Sequence, residues 1–272
     1  MLNALIYLFL REKRNVFLNK FALPLRLLSS LSSILLYYFA TEAFAPKVES
    51  FQEMEGWTLF EFVIVGELTL FFVSDSLVIF GQQMRQIITS NSFDPLLNTK
   101  THFFKTLFLM GISSYLISLI TLIFEILVLT IFFKLNFSTL NVIKAVFLNL
   151  MWLPFFMAIG IFVASSLIIF KRGFGFFGSL VGLLGAVSGA YFPTGALPLN
   201  LNNYLKYINP FQLLVENTRV LIKTGVVNGS YLSVLLIGFL LGTLSLFISF
   251  LYLGRTITYY KRRGETLVFP TT

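Results

Sequence analysis

Five charged side chains sit inside stretches that are otherwise apolar: Arg26, Glu61, Glu67, Asp75 and Glu125. An ionised group in hydrocarbon is costly, so each calls for a partner or a function. Arg26 lies about five residues into the first apolar run and Asp75 about six residues from the far end of the second; at matching depth the two are expected to pair. Glu61 precedes Asp75 by two heptads, which puts both on roughly one helix face, while Glu67 is rotated from that face and Glu125 stands in the third run. Two chemistries are open to this set. One is a polar path for protons or substrate; the other is helix-to-helix hydrogen bonding with a snorkelling arginine. The second is the simpler, and it predicts that replacing Asp75 by Ala lowers subunit yield more than transport per molecule.

Other chemistry finds few bearers. The chain has no cysteine, which excludes disulfides, thiolate metal sites and thiol nucleophiles. His102 is the single histidine and has no neighbouring carboxylate cluster, so no metal site is expected. No Gly-x-x-x-x-Gly-Lys-Ser/Thr stretch occurs, so a phosphate-cradling P-loop is missing from this sequence. No set of nucleophile, base and orienting group stands out, and the chain is expected not to be catalytic by itself.

The elements that would carry these residues are membrane helices. Of 272 residues, 57% are hydrophobic, 12% are charged and 33 are Phe, more than one soluble core of this size can bury. Apolar runs of membrane length fall at about 21–43, 58–81, 106–133, 145–170, 173–192 and 230–254. The fold class expected is an all-α integral membrane protein of six transmembrane helices, forming a single domain over 1–272. Arg11, Lys13, Arg14, Arg85, Lys171, Arg172, Arg255 and the run Lys261-Arg262-Arg263 flank one side, which by the positive-inside rule places both termini in the cytoplasm. The net charge of +8 is therefore read as a topology signal, with membrane lipid and not nucleic acid as the partner. Residues 2–18 read as an amphipathic helix on the cytoplasmic surface, with Leu2, Leu5, Leu8, Phe9 and Val16 toward lipid, within an interfacial segment 1–20. An extended first span and a signal peptide cleaved after Ala43-Phe44-Ala45 are the competing readings; the apolar run is too long for the latter.

Two segments interrupt the spans. On the inner side, within the connection 82–105, Ser92-Phe93-Asp94-Pro95-Leu96-Leu97 predicts a short helix capped by Ser92 or Asp94, with Pro95 in its first turn. Exposed Phe93, Leu96 and Leu97 would then enter a groove on a partner protein, or else lie on lipid. On the outer side, within 193–229, Pro193, Gly195, Pro198 and Pro210 break an apolar stretch into pieces too short to cross. That describes short re-entrant helices folded back on the outer face, ahead of a cytoplasmic tail at 255–272. In the fifth run Gly178 and Gly182, and Gly185 and Gly189, form small-x-x-x-small pairs suited to close helix packing, within one subunit or between two; Gly238 and Gly242 repeat the pattern in the sixth.

Both segments resemble the signatures of the type-2 ABC-exporter permease family, six-span subunits that work with separate ATPases. The inner one is similar to the pattern Gly-Thr-(Leu/Phe)-(Glu/Asp)-x-Leu-Leu-x-(Ser/Thr)-Pro, matched by Ser92-Phe93-Asp94-Pro95-Leu96-Leu97-Asn98-Thr99, with Asn91-Ser92 where Gly-Thr is usual and Lys100 where Pro is usual. The outer one is similar to Ser-Gly-x-x-Phe-Pro-x-x-x-Leu-Pro, then Asn-Pro, then Arg, matched by Ser188, Gly189, Phe192, Pro193, Leu197, Pro198, Asn209, Pro210 and Arg219. The resemblance implies a permease of a prokaryotic cytoplasmic (inner) membrane that dimerises with itself or a related chain. Two copies of an ABC ATPase, holding ATP and Mg2+, would seat on the segment around Phe93 to Leu97. Because the longer inner motif of the polysaccharide-exporting branch is missing, the cargo implied is an amphiphile: a drug, lipid or glycolipid. The alternative is an ion-coupled secondary transporter using the intramembrane carboxylates.

Overall fold

A computed structural model describes residues 22–48, 56–98, 103–135, 137–170, 174–196, 204, 209–226 and 231–263, and among these residues there is no strand. The helices are α1 (Ala22–Val48), α2 (Leu59–Thr89), α3 (Phe93–Leu97), α4 (Phe103–Phe132), α5 (Thr139–Phe170), α6 (Phe174–Ala186), α7 (Pro210–Thr224) and α8 (Tyr231–Arg263), with a 3-10 turn at Thr194–Ala196. Five of them, α1, α2, α4, α5 and α8, are long and apolar enough to cross a bilayer, as expected of a multi-pass membrane protein. Helix α6 has 13 residues. At about 1.5 Å per residue it spans roughly 20 Å, short of a hydrocarbon core of about 30 Å.

Helices α2 and α5 form the centre. α2 packs on α1, α4, α5, α6 and α7, and α5 on α6, α7 and α8 as well. In its most apolar window α2 is 67% buried and α5 61%, against 17% for α1 and 22% for α8, so the outer pair turns its side chains to lipid. Leu28, Leu36 and Phe39 of α1 and Leu240, Leu244 and Phe247 of α8 form that lipid-facing surface. Small residues set the close crossings: a side chain at Gly160 would run into Leu77 and Phe80 of α2, and side chains at Gly238 and Gly242 into Trp152 and Pro154 of α5. The Gly238–Gly242 pair therefore serves packing within the chain.

Several helices overrun the boundaries expected from hydropathy. α2 continues to Thr89 instead of ending near 81, because Gln83, Met84, Ile87 and Ile88 bury one continuous face of its last two turns. α8 continues to Arg263 instead of ending near 254, with Thr256, Ile257 and Tyr260 buried. The fifth run does the opposite: expected over 173–192, it ends as a helix at Ala186, where Val187 and Ser188 close onto Leu183 and Gly185 and the chain turns. The interfacial helix expected over 1–20 and the tail beyond Arg263 lie outside the described residues.

Candidate functional site

The outer motif condenses around α7. Asn209 is its N-cap, accepting at Oδ1 from the Phe211 amide at 3.1 Å, while Nδ2 donates to the Leu184 carbonyl of α6 at 2.8 Å. One buried side chain thus caps the start of α7 and satisfies an otherwise open carbonyl near the end of α6. Pro210 occupies the first turn, where its missing N–H costs nothing. At the other end Gly225 takes φ +74°, Asn141 Nδ2 donates to Ile222 O at 3.1 Å, and Lys144 Nζ donates to Gly225 O at 3.3 Å. Phe211, Leu214, Val215, Thr218 and Arg219 recur at helical spacing and bury α7 against α2 and α5.

Arg219, 6% exposed, is the centre of this unit. Nε and Nη2 both donate to Phe62 O, at 3.1 and 2.9 Å; Nη1 donates to Gly189 O at 2.7 Å and Nη2 also to Ala190 O at 2.6 Å. The guanidinium carbon lies 3.4 Å from the centre of the Phe62 ring. A buried cation is held here by carbonyl dipoles and an aromatic face, a geometry that the planar five-donor guanidinium suits and an ammonium does not. The turn that supplies two of the carbonyls needs Gly189, whose φ is +78° and whose added side chain would strike Thr194. Ser188 Oγ closes it by donating to Gly185 O at 2.6 Å and accepting from Ala190 N at 3.3 Å. A side chain at Gly66 of α2 would displace both Ala190 O and the Arg219 guanidinium.

Gly189 is therefore brought against Arg219, and Asn209 and Pro210 start the helix that carries it, while Pro193 is buried and Phe192 half-buried; Leu197 and Pro198 lie outside the described residues. The Gly185–Gly189 packing pair is corrected. Gly189 sits in the turn beyond α6, and Gly185 faces Leu70 of the same chain. Gly178 and Gly182 differ: a side chain at either meets nothing within 4 Å.

At the opposite end of α2 the chain turns through Asn91, φ +52°, into α3. Asn is among the few non-glycine residues that tolerate this left-handed conformation. Ser92 holds the N-cap position without capping; its hydroxyl donates instead to Ser90 O at 3.3 Å. Phe93 is 1% exposed and packs edge-to-face on Phe103 of α4 and Tyr260 of α8, with ring centres 5.3 and 5.2 Å away. Tyr260 OH also donates to Asp94 Oδ1 at 3.0 Å. The expected exposure of Phe93 is thus overturned: one face of a five-residue helix must anchor it, and the ring is that anchor. Pro95 is exposed, while Leu96 and Leu97 are half-exposed and pack in part against the main core.

The intramembrane acids have partners that sequence spacing did not foretell. Glu61 forms a capping box, its Oε2 accepting from Thr58 N at 2.9 Å while Glu61 N donates to Thr58 Oγ1 at 3.2 Å. Glu67 Oε2 accepts from Tyr191 OH at 2.6 Å, and Tyr191 stacks on Tyr37 of α1 at 5.9 Å. Glu125 Oε1 accepts from Ser30 Oγ at 2.6 Å. Glu67 and Glu125 both line a cavity of about 250 Å³ between α1, α2 and α4, together with Ser29, Ser33, Tyr37 and Thr121. Asp75 is half-buried on α2. Its expected pairing with Arg26 involves a side chain outside the described residues. His102 also lies outside them, and among the described residues no three His, Cys, Asp or Glu side chains gather as metal ligands. In comparison with known proteins, the chain matches no family model and no curated relative.

Proposed function

We propose that this chain is the membrane-spanning subunit of an ATP-binding-cassette exporter of the type-2 kind. It would form a dimer with itself or a related permease and work with two copies of a separate ATPase that holds ATP and Mg2+, moving an amphiphile (drug, lipid or glycolipid) out of the cytoplasm or inner leaflet of a prokaryotic cytoplasmic membrane. The observation that carries this reading is that Arg219, at the far end of the outer motif, donates to the carbonyls of Gly189 and Ala190 near its start, on a helix that Asn209 caps and ties to Leu184. A chance resemblance gives no reason for the two ends of the motif to bond to one another. The inner motif adds support, since Asn91 adopts a left-handed conformation where the family's usual residue is glycine. In this reading α6 is the fifth of six membrane segments, both termini are cytoplasmic, and the Arg219 unit closes the outer side.

The coupling route follows from the anchors of α3. Phe93 and Asp94 tie it to α4 and α8, and a tight turn ties it to α2, so an ATPase pressing on Pro95, Leu96 and Leu97 moves three helices together. Gly178 and Gly182, open on α6, offer the close-packing stripe for a second permease copy. The test is purification of a tagged copy from its own cells in mild detergent, with identification of co-purifying proteins and an ATPase assay. A stoichiometric P-loop ATPase, lost in Leu97→Asp while the permease remains folded, supports the reading; a homogeneous permease without ATPase activity rejects it.

The cavity shared by Glu67 and Glu125 favours one alternative, an ion-coupled secondary transporter. Gradient-driven transport without ATP, abolished in Glu67→Gln or Glu125→Gln, would select it.

A further inference from the structure

A groove of about 910 Å³ opens between the first turn of α4 and the last turns of α8. Aromatic rings make its floor: Phe104 of α4 lies edge-to-face on Phe250 of α8, ring centres 5.9 Å apart, and a side chain at Gly254 would crowd Phe104. Along α8 the groove changes character. Phe247 and Leu251 are exposed apolar side chains, and Leu244, a turn earlier on the same face, continues that surface. Arg255, Thr258 and Arg262 follow, also exposed, at the spacing that keeps them on this face.

The change falls where the bilayer ends. At about 1.5 Å per residue the stretch from Tyr231 to Arg255 spans roughly 36 Å, so Arg255 stands at the headgroup border of a hydrocarbon core about 30 Å thick. Arg262 is two turns further on, about 10 Å along the axis, and both guanidinium forks can reach a group set between them. Neither is spent on the protein. Among the described residues neither meets a carboxylate, and no Asp or Glu lines the groove. Arg263 differs, since its guanidinium lies over the Tyr259 ring, 4.7 Å from the centre. A phosphate is the membrane group that a guanidinium fork matches, with two parallel charge-assisted hydrogen bonds.

We infer that this groove seats one acidic phospholipid, its acyl chains along Phe247 and Leu251 and its phosphate between Arg255 and Arg262. A zwitterionic head adds a cation for which the groove holds no carboxylate, and the Tyr259 ring already faces Arg263. The site needs no ATPase and does not depend on which side the termini occupy, so it stands apart from the exporter reading.

The test is native mass spectrometry of the full chain in mild detergent, offered equal amounts of phosphatidylglycerol and phosphatidylcholine with identical acyl chains. One phosphatidylglycerol per chain should be retained over phosphatidylcholine by at least about five-fold, the factor one arginine near an anionic headgroup supplies. Arg255→Gln combined with Arg262→Gln should bring the two lipids level. Lys105→Gln combined with Lys261→Gln removes the same charge from exposed positions at the same end of α4 and α8, outside the groove lining, and should leave the preference intact. Thr258→Trp fills the groove with both arginines in place; it should lose the retained phosphatidylglycerol, and it carries the test if the double arginine variant does not fold. Equal retention of the two lipids by the wild type, no retained lipid (a groove covered by the chain's own ends), a preference that survives the arginine or the tryptophan variant, or an equal loss in the lysine variant (diffuse attraction only) overturns the inference.

Discussion

Arg219 spends two of its donors on a single acceptor, the carbonyl oxygen of Phe62, and lays its guanidinium over the ring of the same residue, 157 positions earlier in the chain. It also donates to the carbonyls of Gly189 and Ala190. One side chain therefore fixes the first turn of α2, the turn after α6 and the body of α7 in a single arrangement. Four charge-assisted hydrogen bonds in a buried site make Arg219 the polar anchor of this part of the fold.

Removing that side chain leaves three carbonyls to find new partners. Arg219→Ala is expected to destabilise the folded chain by at least about 3 kcal/mol. Arg219→Lys should recover only part of the loss, since an ammonium cannot reach three carbonyls in a plane. Thermal unfolding in one detergent measures both, and a lysine variant as stable as wild type would show that charge alone suffices.

Glycines in two places should behave oppositely. Gly66→Ala places a methyl against Ala190 O and the Arg219 guanidinium and should cost about 1–3 kcal/mol. Gly178→Ala and Gly182→Ala meet open space and should leave the stability of the single chain unchanged. Their effect belongs to assembly: crosslinking or mass photometry should report fewer dimers, and unchanged dimerisation would remove α6 from the interface.

Phe93 and Leu97, four residues apart on one short helix, separate folding from partner binding. Phe93→Ala empties a site between Phe103 and Tyr260 and should destabilise by about 3–5 kcal/mol. Leu97→Asp, at a half-exposed position that packs only in part on the core, should cost less stability than Phe93→Ala while abolishing recovery of an associated ATPase. A double-mutant cycle of Asp94→Asn and Tyr260→Phe should return a coupling of about 0.5–1.5 kcal/mol if the bond at 3.0 Å holds α3 to α8.

The hydrogen-bonded acids should act on folding before transport. Tyr191→Phe removes the donor at 2.6 Å from Glu67 and should cost about 1–2 kcal/mol, and Asp75→Ala should lower yield more than transport per folded molecule. Comparing transport per reconstituted protein with thermal stability decides the point. Normal stability with lost transport in either variant would make these groups part of a polar path.

Periodicity and turn chemistry were local enough to read from the chain itself. The apolar runs gave the long helices, Pro210 beside Asn209 marked the start of α7, and Pro95 with its leucine pair marked a short helix between α2 and α4. Boundaries were less legible, because hydropathy does not register that Gln83 can be buried when its amide donates to Ser114 at 2.7 Å. Nor does it register that a 13-residue helix ends where Gly189 must turn to meet Arg219. The inward turn of Phe93, the tyrosine on Glu67 and the serine on Glu125 depend on residues from 95 to 167 positions away, brought close only by the packing around α2 and α5. A sequence determines which groups cannot remain in hydrocarbon alone; which partner each one finds is decided by how the helices cross.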